Sequence, residues 1–246
     1  DRFIELPLAL FGISIATVLL PKLSEYHSKS DAESYNSTMN WGLKLSTIIS
    51  LPSCIGLILL AEPILITLLQ YREFSINDVH MTAMSLMAFA LGLPGMIGAK
   101  ILITNYYSRK DTKYPVKAAL IAVVFNFILN IDLVLYLINI DFKGVHVGLA
   151  LATSISAYIN FYYLFRNAFK TKILIIDKSV LNILLKSILA SIIMTILILC
   201  FDLDVNSWVN LNFLERIKNL FIIVSSSAII YLAILYVLKI SPKNIK

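Results

Sequence analysis

The chain has 246 residues, of which 59% are hydrophobic and only 15% are charged, and its formal net charge is +6. Because soluble domains ordinarily carry about 25% charged residues, this composition argues against a soluble globular protein. No stripe of Lys and Arg interleaves with aromatic residues, so the basic balance does not indicate a nucleic-acid-binding domain.

Seven apolar segments follow one another along the chain, and a helix needs about 20 mainly apolar residues to cross a bilayer. They cover residues 1–21, 41–69, 81–107, 115–140, 144–166, 180–201 and 215–239. The sequence therefore predicts an all-α polytopic membrane protein with seven transmembrane helices. The clean apolar stretch of the first segment, Leu6 to Leu20, spans only about 22 Å as a helix. We expect that helix to begin upstream of Asp1, and the chain to be the C-terminal part of a longer protein.

Proline and glycine predict irregularities in three segments. In the second segment, Pro52 and Pro63 predict either a bend or a helix that ends near Pro63 and resumes. In the third, the glycine and proline cluster at residues 92–98 predicts a bend or a close helix contact. In the fifth, the spacing of Gly144, Gly148 and Ala152 indicates a helix contact.

The loops that connect the segments predict the orientation in the membrane. Alternate loops, at residues 22–40, 108–117, 166–178 and 239–246, together hold 13 Lys and Arg residues. The opposite loops, at residues 70–80, 141–143 and 202–218, hold 4. Because Lys and Arg are retained in cytoplasmic loops, the first set and the C-terminus are predicted to be cytoplasmic. The connector at residues 22–40 is polar and is predicted to be partly helical.

Ionisable residues inside a bilayer are costly, and they usually face a cavity, a partner or a transport pathway. Arg2 and Glu5 are three residues apart, so they share one face of a helix. They are consistent with a local ion pair near a helix end, or with an arginine that lines a hydrophilic cavity and binds phosphate oxygens. Lys100 lies near the inner end of the third segment. It either extends to the cytoplasmic surface or faces the same cavity as Arg2.

Polar side chains in the fourth segment suggest a second candidate site. Asn126 and Asn130 share a helix face, and Asp132 points to a different one. Hydrogen bonding between helices is the commoner reason for such asparagines, and oxygen ligands for a coupling cation are the alternative. Cys54 and Cys200 both lie in apolar runs and are predicted to be buried hydrophobic residues rather than a disulfide or metal site.

No arrangement of residues in the sequence indicates enzymatic chemistry. We find no Ser/His/Asp set, no glycine-rich phosphate loop, no Cys/His cluster and no paired catalytic carboxylates. The three histidines lack metal-ligand spacing. We therefore expect no enzyme activity, no metal centre and no organic cofactor, with Na⁺ or the membrane potential as a possible driving force.

Several stretches together resemble the MurJ (MviN) family of lipid II flippases. They are Asp1-Arg-Phe-Ile-Glu-Leu-Pro7, Phe11 to Pro21, Asn40-Trp-Gly-Leu-Lys44, Leu69 to Phe74, Tyr107-Ser-Arg-Lys-Asp-Thr-Lys-Tyr-Pro-Val-Lys117 and His146 to Thr153. The stretch from Tyr107 to Lys117 is the most specific. The resemblance is strong up to about residue 170, and the last two segments match only in hydropathy and position.

The resemblance implies a fold and a set of site residues. Family members have fourteen transmembrane helices, and these seven segments look like helices eight to fourteen. Residues 1–170 would form most of the second transport lobe, and residues 171–246 two further helices that line a lipid groove. Arg2 matches a cavity arginine that holds the pyrophosphate of the lipid, and Glu5 matches an acidic cavity position next to it. The family's sodium ligands come from helices seven, eleven and twelve. Asn126, Asn130 and Thr153 take the positions on helices eleven and twelve, and the two helix-eleven positions are neutral here.

The resemblance implies a transporter of the bacterial inner membrane that moves lipid II from the inner to the outer leaflet by alternating access. Its partners would be lipid II, membrane lipids and the N-terminal lobe of the same protein. A related flippase for lipid-linked polysaccharide, or a drug/cation antiporter of the same superfamily, is the first alternative. A membrane-embedded enzyme or an assembly scaffold is the second, and an inactive fragment is the third.

Overall fold

The computed structural model describes residues 2–71, 74–171 and 173–240, and within these ranges the chain is helical without β-strands. A π-helical segment, Leu8–Ile13, joins α1 to α2. The α-helices are α1 (Arg2–Pro7), α2 (Ser14–Ser28), α3 (Ala32–Leu59), α4 (Ala61–Leu69), α5 (Ile76–Leu91), α6 (Leu93–Tyr107), α7 (Lys113–Asn139), α8 (Val147–Lys170), α9 (Lys178–Leu199), α10 (Val205–Val209) and α11 (Phe213–Val237).

Seven helical stretches of the described chain are long and apolar enough to cross a membrane, which confirms the predicted fold. They are Arg2–Ser28, Ala32–Leu59, Ile76–Tyr107, Lys113–Asn139, Val147–Lys170, Lys178–Leu199 and Phe213–Val237. The first stretch has 27 residues and spans about 40 Å, because it continues past Pro21 to Ser28. The helix is therefore longer than its apolar stretch of about 22 Å indicated, and long enough to cross a bilayer without an upstream extension. Its predicted start upstream of Asp1 lies outside the described residues.

The polar connector predicted at residues 22–40 is almost entirely helical. Between α2 and α3 only residues 29–31 are non-helical. Asp31 ends this turn and caps α3 by accepting a hydrogen bond from the Ser34 N–H at 3.0 Å. Hydrogen bonds from the hydroxyl and the N–H of Ser34 hold the pKa of Asp31 below its usual value. The cap provides a side-chain acceptor for one of the first N–H groups of α3, which lack partners within the helix.

The second predicted irregularity separates α3 from α4. Helix α3 passes through Pro52 and ends at Leu59, and α4 begins at Ala61. Pro63 therefore falls in the first turn of α4, where the missing N–H costs no intrahelical hydrogen bond. Of the two sequence-based alternatives, the structure shows the helix that ends and resumes.

The glycine cluster at residues 92–98 produces both a helix break and a close contact. Gly92 separates α5 from α6. A Cβ atom on Gly92 would lie 2.6 Å from the Ser154 Oγ, and one on Gly98 would lie 2.7 Å from the Phe161 ring. Only glycine leaves room for α8 at this distance, so the close helix contact predicted for this segment is confirmed.

The Ile76–Tyr107 stretch forms the centre of the bundle, and α7 lies at its edge. The most apolar window of the Ile76–Tyr107 stretch is 61% buried, whereas that of α7 is 11% buried. Helix α7 packs chiefly against α8. Gly148 of α8 faces Leu133 and Leu137 of α7, so the helix contact predicted from the small residues of the fifth segment is confirmed.

Helices α9 and α11 pack against each other and attach to α3 and α4. The Tyr231 hydroxyl of α11 donates to the Ile48 carbonyl of α3 at 2.7 Å, and the Lys186 ammonium of α9 donates to the Leu238 carbonyl at 2.7 Å. We call the end of the bundle with the turns at residues 29–31, 108–112 and 173–177 the basic end. The other is the opposite end.

The two cysteines differ in their environments. Cys54 is buried, as predicted. Cys200, which follows the last residue of α9, is exposed, so its predicted burial is wrong. An apolar neighbourhood in sequence did not imply burial here because α9 presents one whole face away from the bundle, with Leu189, Ile196 and Leu199 all exposed.

Candidate functional site

Arg2 and Glu5 lie in the single turn α1, at the opposite end of the first spanning helix. Both side chains are exposed, whereas Ile4 and Pro7 in the same turn are buried. The ionic contacts among the described residues join Lys29 to Glu25 and His80 to Glu62. Arg2 and Glu5 therefore form no ion pair with each other, and both groups face the space beside the helix.

Lys100 is exposed on α6 and does not join Arg2 and Glu5. The first spanning helix and α6 run in the same direction, and Gly12 packs against Ile97. Arg2 lies ten residues before this contact and Lys100 three residues after it. At the usual rise per residue, the two residues differ in depth by roughly 20 Å. A single phosphate group would not contact both side chains in this conformation.

The structure brings Asn126, Asn130 and Thr153 together between α7 and α8. The Asn130 Nδ2 donates to the Asn126 Oδ1 at 3.1 Å. The Asn126 Nδ2 donates to the Thr153 Oγ1 at 3.4 Å, a long contact. The Thr153 hydroxyl itself donates to the Leu149 carbonyl at 3.0 Å. This chain of hydrogen bonds matches the first sequence-based alternative, in which the asparagines join two helices. Asp132 is exposed on a different face of α7.

A cavity of about 330 Å³ adjoins these residues and is bounded by α6, α7 and α8. Its polar lining comes from Asn126, Thr153, Ser156 and Asn160. The Ser156 hydroxyl donates to the Ala152 carbonyl. The Oδ1 atoms of Asn130 and Asn160 are buried without a hydrogen-bond partner among the described residues. Buried acceptors without partners are costly, so this region favours an electropositive guest such as a cation or a water molecule.

Ser156 and Asn160 were missed by the sequence analysis. Both follow Thr153 on one face of α8, three and seven residues later, and this helical spacing is visible in the sequence. Within residues 2–71, 74–171 and 173–240, no three side chains of His, Cys, Asp or Glu gather as metal ligands do.

The most specific stretch of the resemblance has a structural role at the basic end. The Arg109 Nε donates to the Tyr35 hydroxyl at 3.0 Å, and its Nη2 donates to the Ile173 carbonyl at 3.2 Å. The guanidinium also stacks over the Tyr35 ring at 4.4 Å. Asp111 accepts the backbone N–H groups of Lys113 and Tyr114 and so begins α7. These residues join elements rather than line a cavity.

Two asparagines of α3 complete this attachment by binding residues 175–177, which we call the strap. Asn36 accepts the Ile175 N–H at 3.1 Å. Asn40 donates to the Ile175 carbonyl at 2.8 Å and accepts the Asp177 N–H at 3.2 Å. The strap leads directly into α9, so these contacts hold the start of the last helix pair against α3.

Comparisons with known proteins find the same family over most of the chain. The family model described as "Lipid II flippase MurJ" matches residues 1–218. A probable lipid II flippase MurJ from Haemophilus influenzae is 36% identical, and the alignment covers 100% of this chain and 48% of the relative. One from Vibrio cholerae is also 36% identical, with 100% and 46% covered. The chain thus spans about half the length of these curated relatives.

One solved structure has a fold similar to that of this chain. It is titled "Lipid II flippase MurJ, inward closed conformation". The TM-score is 0.77 and the sequence identity 30%, and the match covers 96% of this chain and 45% of that one.

Proposed function

This chain belongs to the MurJ family of lipid II flippases, and we propose from that membership that it forms one lobe of such a transporter. The lobe carries the lipid-linked peptidoglycan precursor from the inner to the outer leaflet by rocking against a second lobe. A segment equivalent to the other half of the relatives' length supplies that second lobe. The covalent structure of the substrate does not change, so the protein acts as a transporter and not as an enzyme.

The exposed Arg2 and Glu5 side chains on the first turn of a spanning helix carry this proposal. A charged side chain at membrane depth is costly unless it lines a hydrophilic space or binds a partner, and neither group is paired within the described chain. The planar guanidinium of Arg2 matches two phosphate oxygens at once. We assign Arg2 to the pyrophosphate of lipid II and Glu5 to the adjacent polar headgroup. Lys100, at a different depth, contacts the substrate at another stage of its passage.

The remaining parts of the chain have matching roles. Residues 1–170 form most of the lobe, and residues 171–246 carry the added helices. Their exposed apolar faces line a groove for the lipid tail. We assign the basic end, and the C-terminus, to the cytoplasm of a bacterial cell, and the bias of basic residues toward that end supports this assignment. The rival substrates, lipid-linked polysaccharides or drugs, gain no support from relatives that are named for lipid II.

Growth of a bacterium depleted of its own lipid II flippase tests the role of Arg2. The complete transporter that contains this chain would be supplied with Arg2→Ala, Arg2→Lys or no change. We expect growth only without the change, because alanine lacks the charge and lysine lacks the planar fork. Arg166→Ala, which alters an exposed arginine of α8 outside the site, is the matched control and should support growth. Normal growth with both Arg2 variants would contradict the assignment of Arg2 to the pyrophosphate of lipid II.

A cation in the cavity between α6, α7 and α8 provides a means of coupling. Na⁺ is bound by oxygen atoms, and the polar lining of the cavity comes from Asn126, Thr153, Ser156 and Asn160. A bound cation would satisfy the unpartnered Asn160 Oδ1. Because every member of this set is neutral, we expect weaker binding than at a site with a carboxylate.

Thermal unfolding of the purified chain in detergent tests this cation site. We expect the unfolding midpoint to rise with NaCl relative to choline chloride at equal ionic strength. Asn126→Leu should abolish that rise. Asn167→Leu is the matched control. It removes a side-chain amide from α8 at a position away from the cavity, and it should preserve the response to Na⁺. Equal midpoints in the two salts would count against the site.

A further inference from the structure

The first spanning helix contains a π-helical segment, Leu8–Ile13, directly after the turn that carries Arg2 and Glu5. Pro7 precedes the segment and has no N–H to donate to the preceding turn. The Ser14 hydroxyl donates to the Ala9 carbonyl five residues back, at 3.5 Å. A π-helical turn accommodates one residue more than an α-helical turn, and such turns are rare and concentrated at functional sites.

An uninterrupted α-helix would place Glu5 on the packed face. Each residue turns the helix by about 100°, and Leu19, which is fully buried, marks the direction of the bundle. In such a helix Glu5 would lie about 40° from Leu19, and Arg2 about 100° from it. A carboxylate would then point into the contact with α5.

One extra residue in the π-helical turn rotates the preceding residues by about 100°. Glu5 and Arg2 then lie about 140° and 160° from the direction of Leu19, whereas Ile4 and Pro7 lie within about 40° of it. The observed burial follows this second pattern. Ile4 and Pro7 are buried, and Arg2, Glu5 and Leu6 are exposed.

We propose that the π-helical segment is the positioning element of the substrate site, because it sets the side of the helix on which Arg2 and Glu5 stand. Pro7 and Ser14 are its positioning residues, since Pro7 has no N–H for an α-helical hydrogen bond and the Ser14 hydroxyl donates to the Ala9 carbonyl across the wide turn. This inference rests on the proposed function for the role of Arg2, but not for the geometry.

The packing of Gly12 fixes the far end of the segment. A Cβ atom there would lie 3.2 Å from the Leu8 Cδ1 and 3.5 Å from the Ile97 Cγ1. The helix is therefore held against α6 at this point, and Leu19 and Leu23 continue the packed face along α2. Rotation in the π-helical turn consequently moves α1 rather than α2.

Deletion and insertion of one residue test the proposal on the purified chain. Single cysteines at positions 4, 5, 6 and 19 are introduced into a Cys54→Ala, Cys200→Ala background and reacted with a small maleimide in detergent. In the unaltered helix, cysteines at 5 and 6 should react and those at 4 and 19 should be protected. Protection at 19 reports that each variant is folded.

Deletion of Ala9 should let the segment become α-helical, which leaves the pattern at positions 4, 5 and 6 unchanged. If the wide turn instead persists, the cysteine at 4 becomes reactive and that at 6 becomes protected, and the proposal is overturned. Insertion of alanine after Ala9 should rotate α1 by about 100° and protect the cysteine at 5. Continued reactivity at 5 in that variant would also contradict the proposal.

Transport by the same variants separates this inference from the proposed function. In the complete transporter, the Ala9 deletion should support growth after depletion of the native flippase, and the insertion should not. If the labelling pattern is as expected but the insertion supports growth, the geometry stands and the role assigned to Arg2 fails.

Discussion

At the scale of single residues, a side chain that the sequence analysis counted only as a loop charge makes four hydrogen bonds. Arg216, in the first turn of α11, is buried. Its guanidinium donates to the Ile66 carbonyl of α4 at 3.1 Å and to the Val209 carbonyl at 2.7 Å. Its Nε is shared by the carbonyls of Trp208 and Leu211. One side chain thus joins α4, α10 and α11 at the opposite end of the bundle.

Arg216→Ala should lower the free energy of unfolding by about 2–4 kcal/mol, because buried carbonyls lose their donors. Thermal or denaturant unfolding of the purified chain in detergent measures the change. Lys218→Ala, at an exposed position on the same helix, should change stability by less than about 0.5 kcal/mol. Equal effects of the two substitutions would show that Arg216 does not hold these elements together.

Some contacts of single residues could be predicted from their spacing in the sequence, and contacts with distant elements could not. The asparagines at 126 and 130 share a helix face whatever the tertiary structure, so their hydrogen bond was predictable from an interval of four. Their position beside Thr153 required the family resemblance, because the pairing of α7 with α8 is a long-range contact. The partners of Arg216 and Arg109 lie on other elements of the structure. No local sequence pattern predicts that a guanidinium will bind main-chain carbonyls.

At the scale of elements, hydropathy located the seven spans but misplaced several of their ends. Polar helical turns extend beyond the apolar core, as in α2, which continues to Ser28, and α3, which begins at Ala32. The π-helical segment was not predicted at all. Its apolar residues have no distinctive composition, and only the alternation of buried and exposed positions around Pro7 reveals the extra residue.

The strap is the element whose attachment the structure defines most sharply. Its non-helical backbone is bound by the side chains of Asn36 and Asn40. Arg109 holds the carbonyl of Ile173, just before the strap. Because the strap lies between α8 and α9, its attachment connects the last helix pair to the rest of the bundle.

Asn40→Leu should release the strap, since it removes two hydrogen bonds to main-chain groups of the strap at once. At about 1 kcal/mol each, their loss should speed hydrogen exchange of the Asp177 amide by roughly 10- to 30-fold. Exchange followed by mass spectrometry on peptides that cover residues 173–178 measures this. Asn139→Leu, at an exposed helix end, is the control and should leave the exchange rate unchanged. An unaltered rate in Asn40→Leu would refute the attachment.

At the scale of the whole molecule, the described helices form a bundle with a buried centre and two open sides. The buried stretch Ile76–Tyr107 lies between the first spanning helix and α8, and α3 carries the last helix pair. The exposed sides of α1 and α2 and of α7 are where a second lobe and the lipid meet the bundle under the proposed function. Arg2 and Glu5 stand on one of these sides.

The predicted orientation of the bundle and the proposed mechanism depend on different features of the sequence. The loop bias depends only on composition and on where the spans lie, and both are local properties. Under the proposed function, the motion that exchanges access between the two faces of the membrane depends on contacts with a second lobe, and those contacts are not encoded by this chain alone.

The position of lipid II across the membrane tests the central claim most directly. In cells that depend on the complete transporter containing this chain, the fraction of lipid II that an externally added, membrane-impermeant lipid II hydrolase cleaves is measured after depletion of the native flippase. We predict extensive cleavage with the unchanged protein and little with Arg2→Ala at equal expression. Equal cleavage with Arg2→Ala, or no cleavage with the unchanged protein, would contradict the account.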